Sequence, residues 1–163
     1  MNIENKKQML LKLLEAKAAF TRFEILEHYA DFADAEADIF PLQKVLAQDP
    51  DPIVRHEAAA QLLKIETKKP GLTVNLRPQI QAALIKSVCE DNSVIVRHES
   101  MEALAYIGDR GAMSVLESLV GHANADINCT AKIACDILRF RLLNKLSGAE
   151  ISDALMPDPR LRH

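Results

Sequence analysis

The stretch DPDPIVRHEAAAQLLKI, residues 49–65, aligns with DNSVIVRHESMEALAYI, residues 91–107, with eight identities in 17 positions. The copies stand 42 residues apart, and each opens an apolar helical pattern on Val-Arg-His-Glu. Self-similarity at such a period marks a repeat architecture, in which each unit buries its apolar face against its neighbours. Fainter copies flank the pair. Thirty-three residues before His56 stands Phe23 between Arg22 and Glu24, and thirty-one after His98 stands Cys129 between Asn128 and Thr130. Four units of about 31–42 residues therefore fit, each long enough for two helices.

The helices follow from apolar spacing and from their stop and start signals. Glu4–Ala19 reads as a helix striped by Met9, Leu10, Leu13 and Leu14, and Thr21-x-x-Glu24 as a capping box opening the next. A helix over 39–48 precedes Asp49-Pro50-Asp51-Pro52, where Pro52 suits a first turn; that acidic turn lacks the remaining ligands of a calcium loop. Residues 67–77 (TKKPGLTVNLR) read as a long loop that widens the repeat. Helices over 78–89, 93–107, 111–120 and 126–146 complete the set, with Gly148 as a stop. The fold class is all-α, an α-solenoid of about four HEAT-like helical hairpins. It forms one repeat domain over 1–147, followed by a C-terminal tail over 148–163.

Composition narrows the function. The chain is 48% hydrophobic and carries a net charge of −3. No Lys/Arg run exceeds two residues, Trp is absent and aromatics make up 4%, so neither a phosphate-binding field nor a base-stacking platform is expected. No apolar run approaches a membrane span, and the amphipathic, partly acidic first nineteen residues do not resemble a signal peptide. A cytoplasmic protein is expected, with Cys89, Cys129 and Cys135 as reduced, buried small hydrophobes.

At 100° per residue Val54, Ala58, Leu62 and Ile65 share one face, and His56 lies almost opposite. Val96, Ser100, Leu104 and Ile107 repeat that face, with His98 opposite. A column Phe23, His56, His98, Cys129 should then run along one surface, flanked by Glu24, Glu57, Glu99, Thr130 and by Arg22, Arg55, Arg97, Asn128. Stacked helices lie about 8–10 Å apart, so His56 can share an ion with His98 and Glu99, whereas His56 and Glu57 point apart. Two histidines and a carboxylate with open positions form the ligand set of non-haem iron oxygen chemistry. The alternative is a solvated surface. Arg55 and Arg97 are expected to pair with Asp49, Asp51 or Asp91, and Cys129 is a candidate extra ligand or reactive thiol. Phe23 is expected to pack, and His28 and His122 to be solvated.

VIVRHESMEALAYIGDRGAMSVLESL (94–119) and INCTAKIACDIL (127–138) resemble the HEAT-like repeats of deoxyhypusine hydroxylase. The shared elements are the paired His-Glu dyads, Glu-Ala-Leu…Ile-Gly-Asp and Thr-x-x-Ile-Ala-x-Asp. The resemblance spans roughly 22–143 and one half of that two-halved, oxygen-dependent di-iron monooxygenase. It implies His56, His98 and Glu99 as metal (iron) ligands and Glu57 as a catalytic residue at the substrate edge. With one half present, it implies a homodimer holding two Fe, the second copy restoring four dyads across a twofold axis; the substrate, protein or small molecule, is left open. The same repeat type also serves phycobilin lyases and metal-free interaction scaffolds.

Overall fold

A computed structural model describes residues 3–147. Ten α-helices and a 3-10 turn at Glu36–Asp38 make up its regular structure, and no strand occurs among the described residues. Helices α1 (Ile3–Leu13) and α2 (Ala19–Glu27), with the short α3 (Tyr29–Phe32), form the first hairpin. Then come α4 (Ile39–Gln48) with α5 (Pro52–Lys68), α7 (Arg77–Glu90) with α8 (Val94–Ile107), and α9 (Arg110–Ser118) with α10 (Ala125–Ser147). The short α6 (Pro70–Thr73) bridges the second and third hairpins. The second helices stack in the order α2, α5, α8, α10, and α4, α7 and α9 form the other layer. The expected all-α solenoid of four hairpins is what the chain builds.

The predicted inner face is correct. Val54, Ala58, Leu62, Ile65, Val96, Ser100 and Leu104 are fully buried, and Ile107 nearly so. Because α5 and α8 each lie between two other second helices, their flanks are buried as well. Small side chains at Ala59, Ala103 and Ala105 allow that close approach, all without exposed surface. Only a narrow strip of each of these two helices stays open, and the histidines stand on it. Gly108 ends α8 where a Cβ would lie 2.4 Å from the Leu104 carbonyl and 2.7 Å from Ala112 Cβ. Glycine is required there by contact.

Three local expectations need correction. Residues 67–77 are not a loop: α5 runs on to Lys68, because no breaker intervenes before Pro70, and Pro70 itself starts α6. This insert clamps the first hairpin, with Lys69 Nζ donating to the carbonyls of Ala30 (2.9 Å), Asp31 (3.2 Å) and Ala33 (2.6 Å). Thr21 is no cap, since α2 begins at Ala19, two residues earlier. Helix α1 stops at Leu13 rather than Ala19; Leu10 is buried and Leu14 half-buried, and the side chains of Met9 and Leu13 fall outside those described. Gly148 and the 148–163 tail also lie outside the described residues.

The Asp-Pro-Asp-Pro turn behaves as expected, with Pro52 in the first turn of α5 and Asp51 Oδ1 accepting from the Ile53 amide at 2.9 Å. No helix among the described residues is long and apolar enough to cross a membrane.

Candidate metal centre on the second-helix face

The arginines immediately before the dyads set the register of the site. Arg22 grips Asp49 of the next hairpin through two N–H groups, Nε at 2.7 Å and Nη2 at 2.8 Å. Arg55 repeats the grip on Asp91, at 2.8 Å for both. Each aspartate also accepts the amide two residues on, Asp51 N at 2.9 Å and Ser93 N at 2.8 Å. Fork-to-fork pairs of this kind fix orientation as well as distance, so successive second helices enter at matched heights. Arg97 departs from the expectation and donates to the Val88 carbonyl at 2.7 Å instead of a carboxylate. The residue occupying the aspartate position of the fourth hairpin is His122, whose Nδ1 accepts the Asn124 amide at 3.0 Å; Asn124, in the position of Asp51 and Ser93, caps α10 by accepting from Asp126 N and Ile127 N.

With that register, the residue after the column position reaches back to the preceding hairpin. Glu99 Oε2 on α8 lies 3.2 Å from His56 Nε2 on α5. Thr130 Oγ1 on α10 lies 2.7 Å from His98 Nδ1 on α8. For Glu57, the same position on α5, the preceding column residue is Phe23 rather than a histidine; its Oε1 accepts instead from Gln61 Nε2 at 2.7 Å. Gln61 is itself buried and tied to the first hairpin, its Oε1 accepting from the Ala30 amide at 2.9 Å.

The histidines are partly covered, with side-chain exposures of 32% for His56 and 43% for His98. Both are held above the usual imidazole range. For His56 the first cause is the hydrogen bond to Glu99, opposed by burial; for His98 it is the hydrogen bond to Glu102, again opposed by burial. Glu102 Oε1 lies 3.2 Å from His98 Nε2 and is correspondingly held below the usual carboxylate range by that bond.

Glu102 and Thr130 were not singled out as His98 partners by sequence reasoning. The signal for Glu102 was its i+4 spacing from His98 on one helix face; Thr130 stood in the glutamate column without a chemistry attached to it. At the column's end Cys129 is exposed and free, as is Cys89, and only Cys135 is buried as expected. Both exposed thiols sit on helix surfaces away from the inner stripe.

The donors are those of a transition-metal site: two imidazoles and several carboxylates. Two ligands each about 2.1 Å from one ion stand roughly 3.0–3.4 Å apart, and both the His56–Glu99 and His98–Glu102 pairs are 3.2 Å apart. Each pair therefore fits two positions of an ion's shell. Among the described residues of one chain no three such donors converge into a single group.

A profile of HEAT repeats matches residues 41–134, more than half of the chain. Deoxyhypusine hydroxylase of Debaryomyces hansenii is 28% identical to it over 111 residues, which cover 66% of this chain and 32% of that protein. The chain thus spans about a third of the length of this curated relative.

Proposed function

The chain belongs to the HEAT-repeat family, and on that footing we propose that it is a hydroxylase-like protein holding iron on its second-helix face, with the second copy of a homodimer completing the site. The observation that carries the reading is the meeting of His56 and Glu99, from neighbouring helices and 3.2 Å apart. Similarity to a deoxyhypusine hydroxylase supports the chemical class. His56, His98 and Glu99 would be the ligands. Iron bound there supplies the place at which dioxygen is activated for hydroxylation.

The protein's own part is positioning. Arg55 and Asp91 hold α5 and α8 in register, which brings Glu99 to His56. Gln61 holds the Glu57 carboxylate beside the histidines, where it orients substrate or water. Because donors within one chain are matched two by two, further ligands come from the same face of a partner copy, and a twofold axis doubles every donor. The test is molar mass in solution before and after anaerobic addition of iron(II): a dimer of the 18.1 kDa chain that tightens with metal supports the reading, and a monomer indifferent to iron overturns it.

One observation favours a second reading, a metal-free interaction scaffold. Phe20, Ile53 and Ile95, three residues before each column position, are 69%, 49% and 41% exposed. They form an apolar row one turn from the histidines, the kind of surface a partner protein covers.

A further inference from the structure

We propose that Thr130 is a positioning residue for His98: it holds the imidazole by its Nδ1 proton and thereby presents Nε2 as the nitrogen available to a cation. The inference deepens the iron-site reading and rests on it for the cation, though not for the hydrogen bond.

The hydroxyl of Thr130 has one proton and two neighbours. One is the carbonyl oxygen of Asp126 at 2.8 Å, which can only accept, so the hydroxyl proton goes there. The other, His98 Nδ1 at 2.7 Å, must then donate to Thr130 Oγ1. In the metal-free protein Nε2 carries the proton it shares with Glu102; once a cation displaces that proton, an imidazole that keeps its proton on Nδ1 offers its lone pair at Nε2. His98 Nε2 faces Glu102 Oε1 at 3.2 Å, on the side where His98 is exposed. Metal-bound histidines commonly have this arrangement, with the non-ligating nitrogen donating to a fixed oxygen that sets tautomer and ring angle.

Thr130 is only 6% exposed, and its back-bond to Asp126 fixes the position of its oxygen. Its place in the repeat explains why it meets the other nitrogen. Glu99 and Thr130 occupy equivalent positions and both reach back one hairpin. The glutamate reaches Nε2 of His56; the threonine oxygen, two atoms nearer its backbone, stops at Nδ1 of His98. His56 has no equivalent brace, since its Nδ1 has no protein partner among the described residues. The fourth hairpin therefore contributes the support for a ligand in place of a third dyad.

The experiment compares the full chain with Thr130→Val, which keeps shape and loses the hydroxyl, and with Thr130→Ser, which keeps the hydroxyl. Two readouts are taken: zinc(II) affinity by calorimetry, and the His98 ring protons by nitrogen-15 NMR with and without zinc. Thr130→Val should lose about 10–100-fold in zinc affinity and lose the protection of the Nδ1 proton from solvent exchange, and Thr130→Ser should restore both. Unchanged affinity and an unchanged Nδ1 proton in Thr130→Val, or zinc on Nδ1 in the wild type, would overturn the proposal. If the wild type takes up neither zinc nor iron, the iron reading fails by itself, while the Nδ1 proton in metal-free protein still decides the role of Thr130.

Discussion

Replacing Arg55 by Ala removes a two-pronged polar link between the second and third hairpins. The side chains of Arg55 and Asp91 are 15% and 9% exposed. Their two 2.8 Å bonds are joined by a third, from Arg55 Nη1 to the Asp49 carbonyl at 2.8 Å. Truncation leaves the Asp91 carboxylate with the Ser93 amide and only the more distant charge of Arg97. Breaking a buried pair from one side costs about 3–5 kcal/mol, and the residual exposure of this pair places Arg55→Ala at the lower end, ~3 kcal/mol. For a chain of this length that lowers Tm by roughly 6–12 °C. Arg97→Ala is the internal control, since Arg97 makes a single bond to a carbonyl; its cost should be near ~1.5 kcal/mol. Urea unfolding followed by circular dichroism measures both, and an Arg55→Ala/Asp91→Ala cycle isolates the pair. The fork couples neighbouring hairpins, so its loss should also broaden the transition as repeats begin to unfold separately. Equal costs for Arg55→Ala and Arg97→Ala would refute the claim that the fork, rather than any buried arginine, sets the register.

Three further outcomes are expected. Gly108→Ala should cost upwards of ~2 kcal/mol in thermal unfolding, because the new methyl overlaps the Leu104 carbonyl and Ala112; a loss below about 0.5 kcal/mol would mean the turn yields freely. Gln61→Leu should cost ~1–3 kcal/mol by leaving the Ala30 amide unpaired, and, in the iron-loaded protein, slow turnover by freeing Glu57; unchanged stability would remove Gln61 from the first-hairpin anchor. Burial pushes the Asp91 carboxyl up, but the Arg55 bonds and the Ser93 amide outweigh it and leave it below its ordinary value. Its contribution is therefore fully present above the unfolded-state pKa and lost as pH falls through the lower folded one; wild type and Asp91→Asn should converge in stability in strong acid and diverge above about pH 4, and a constant gap would contradict that sign.

Much of the fold was legible because helix phase is. Val54, Ala58 and Leu62 recur at helical spacing and recur again 42 residues on, and no packing argument is needed to read an inner face from that. The Arg55–Asp91 pair was legible as well, since a charge beside a turn of a neighbouring repeat has few places to go. Residues 67–77 were misread because Pro70, Gly71 and β-branched residues signal a loop by propensity, while three lysine-to-carbonyl bonds and the Glu66–Arg77 pair supply tertiary stabilisation that propensity cannot see. The arginine ladder was carried one step too far, to Arg97, where His122 stands in place of the aspartate and no carboxylate is offered.

At the candidate site, His56 meeting Glu99 followed from stacking the repeats. The partners of His98 did not, for treating each His-Glu dyad as a unit hid Glu102, four residues along the same helix, and gave Thr130 no reason to matter. Cys89 was assigned to the interior from residue type alone, although its helical phase, about 100° from the buried Val88, places it outside; for Cys129 residue type pointed inward and its place in the histidine column outward, and the column was right.

Iron content per chain, measured by elemental mass spectrometry on untagged protein beside the His56→Ala/His98→Ala double variant, tests the central claim most directly. The account predicts close to one iron per chain in the wild type, two per dimer, and its loss in the double variant with the helical fold intact by circular dichroism. Absence of stoichiometric iron after anaerobic loading with iron(II), or equal iron in the two proteins, would contradict it and leave the histidine column as part of a binding surface.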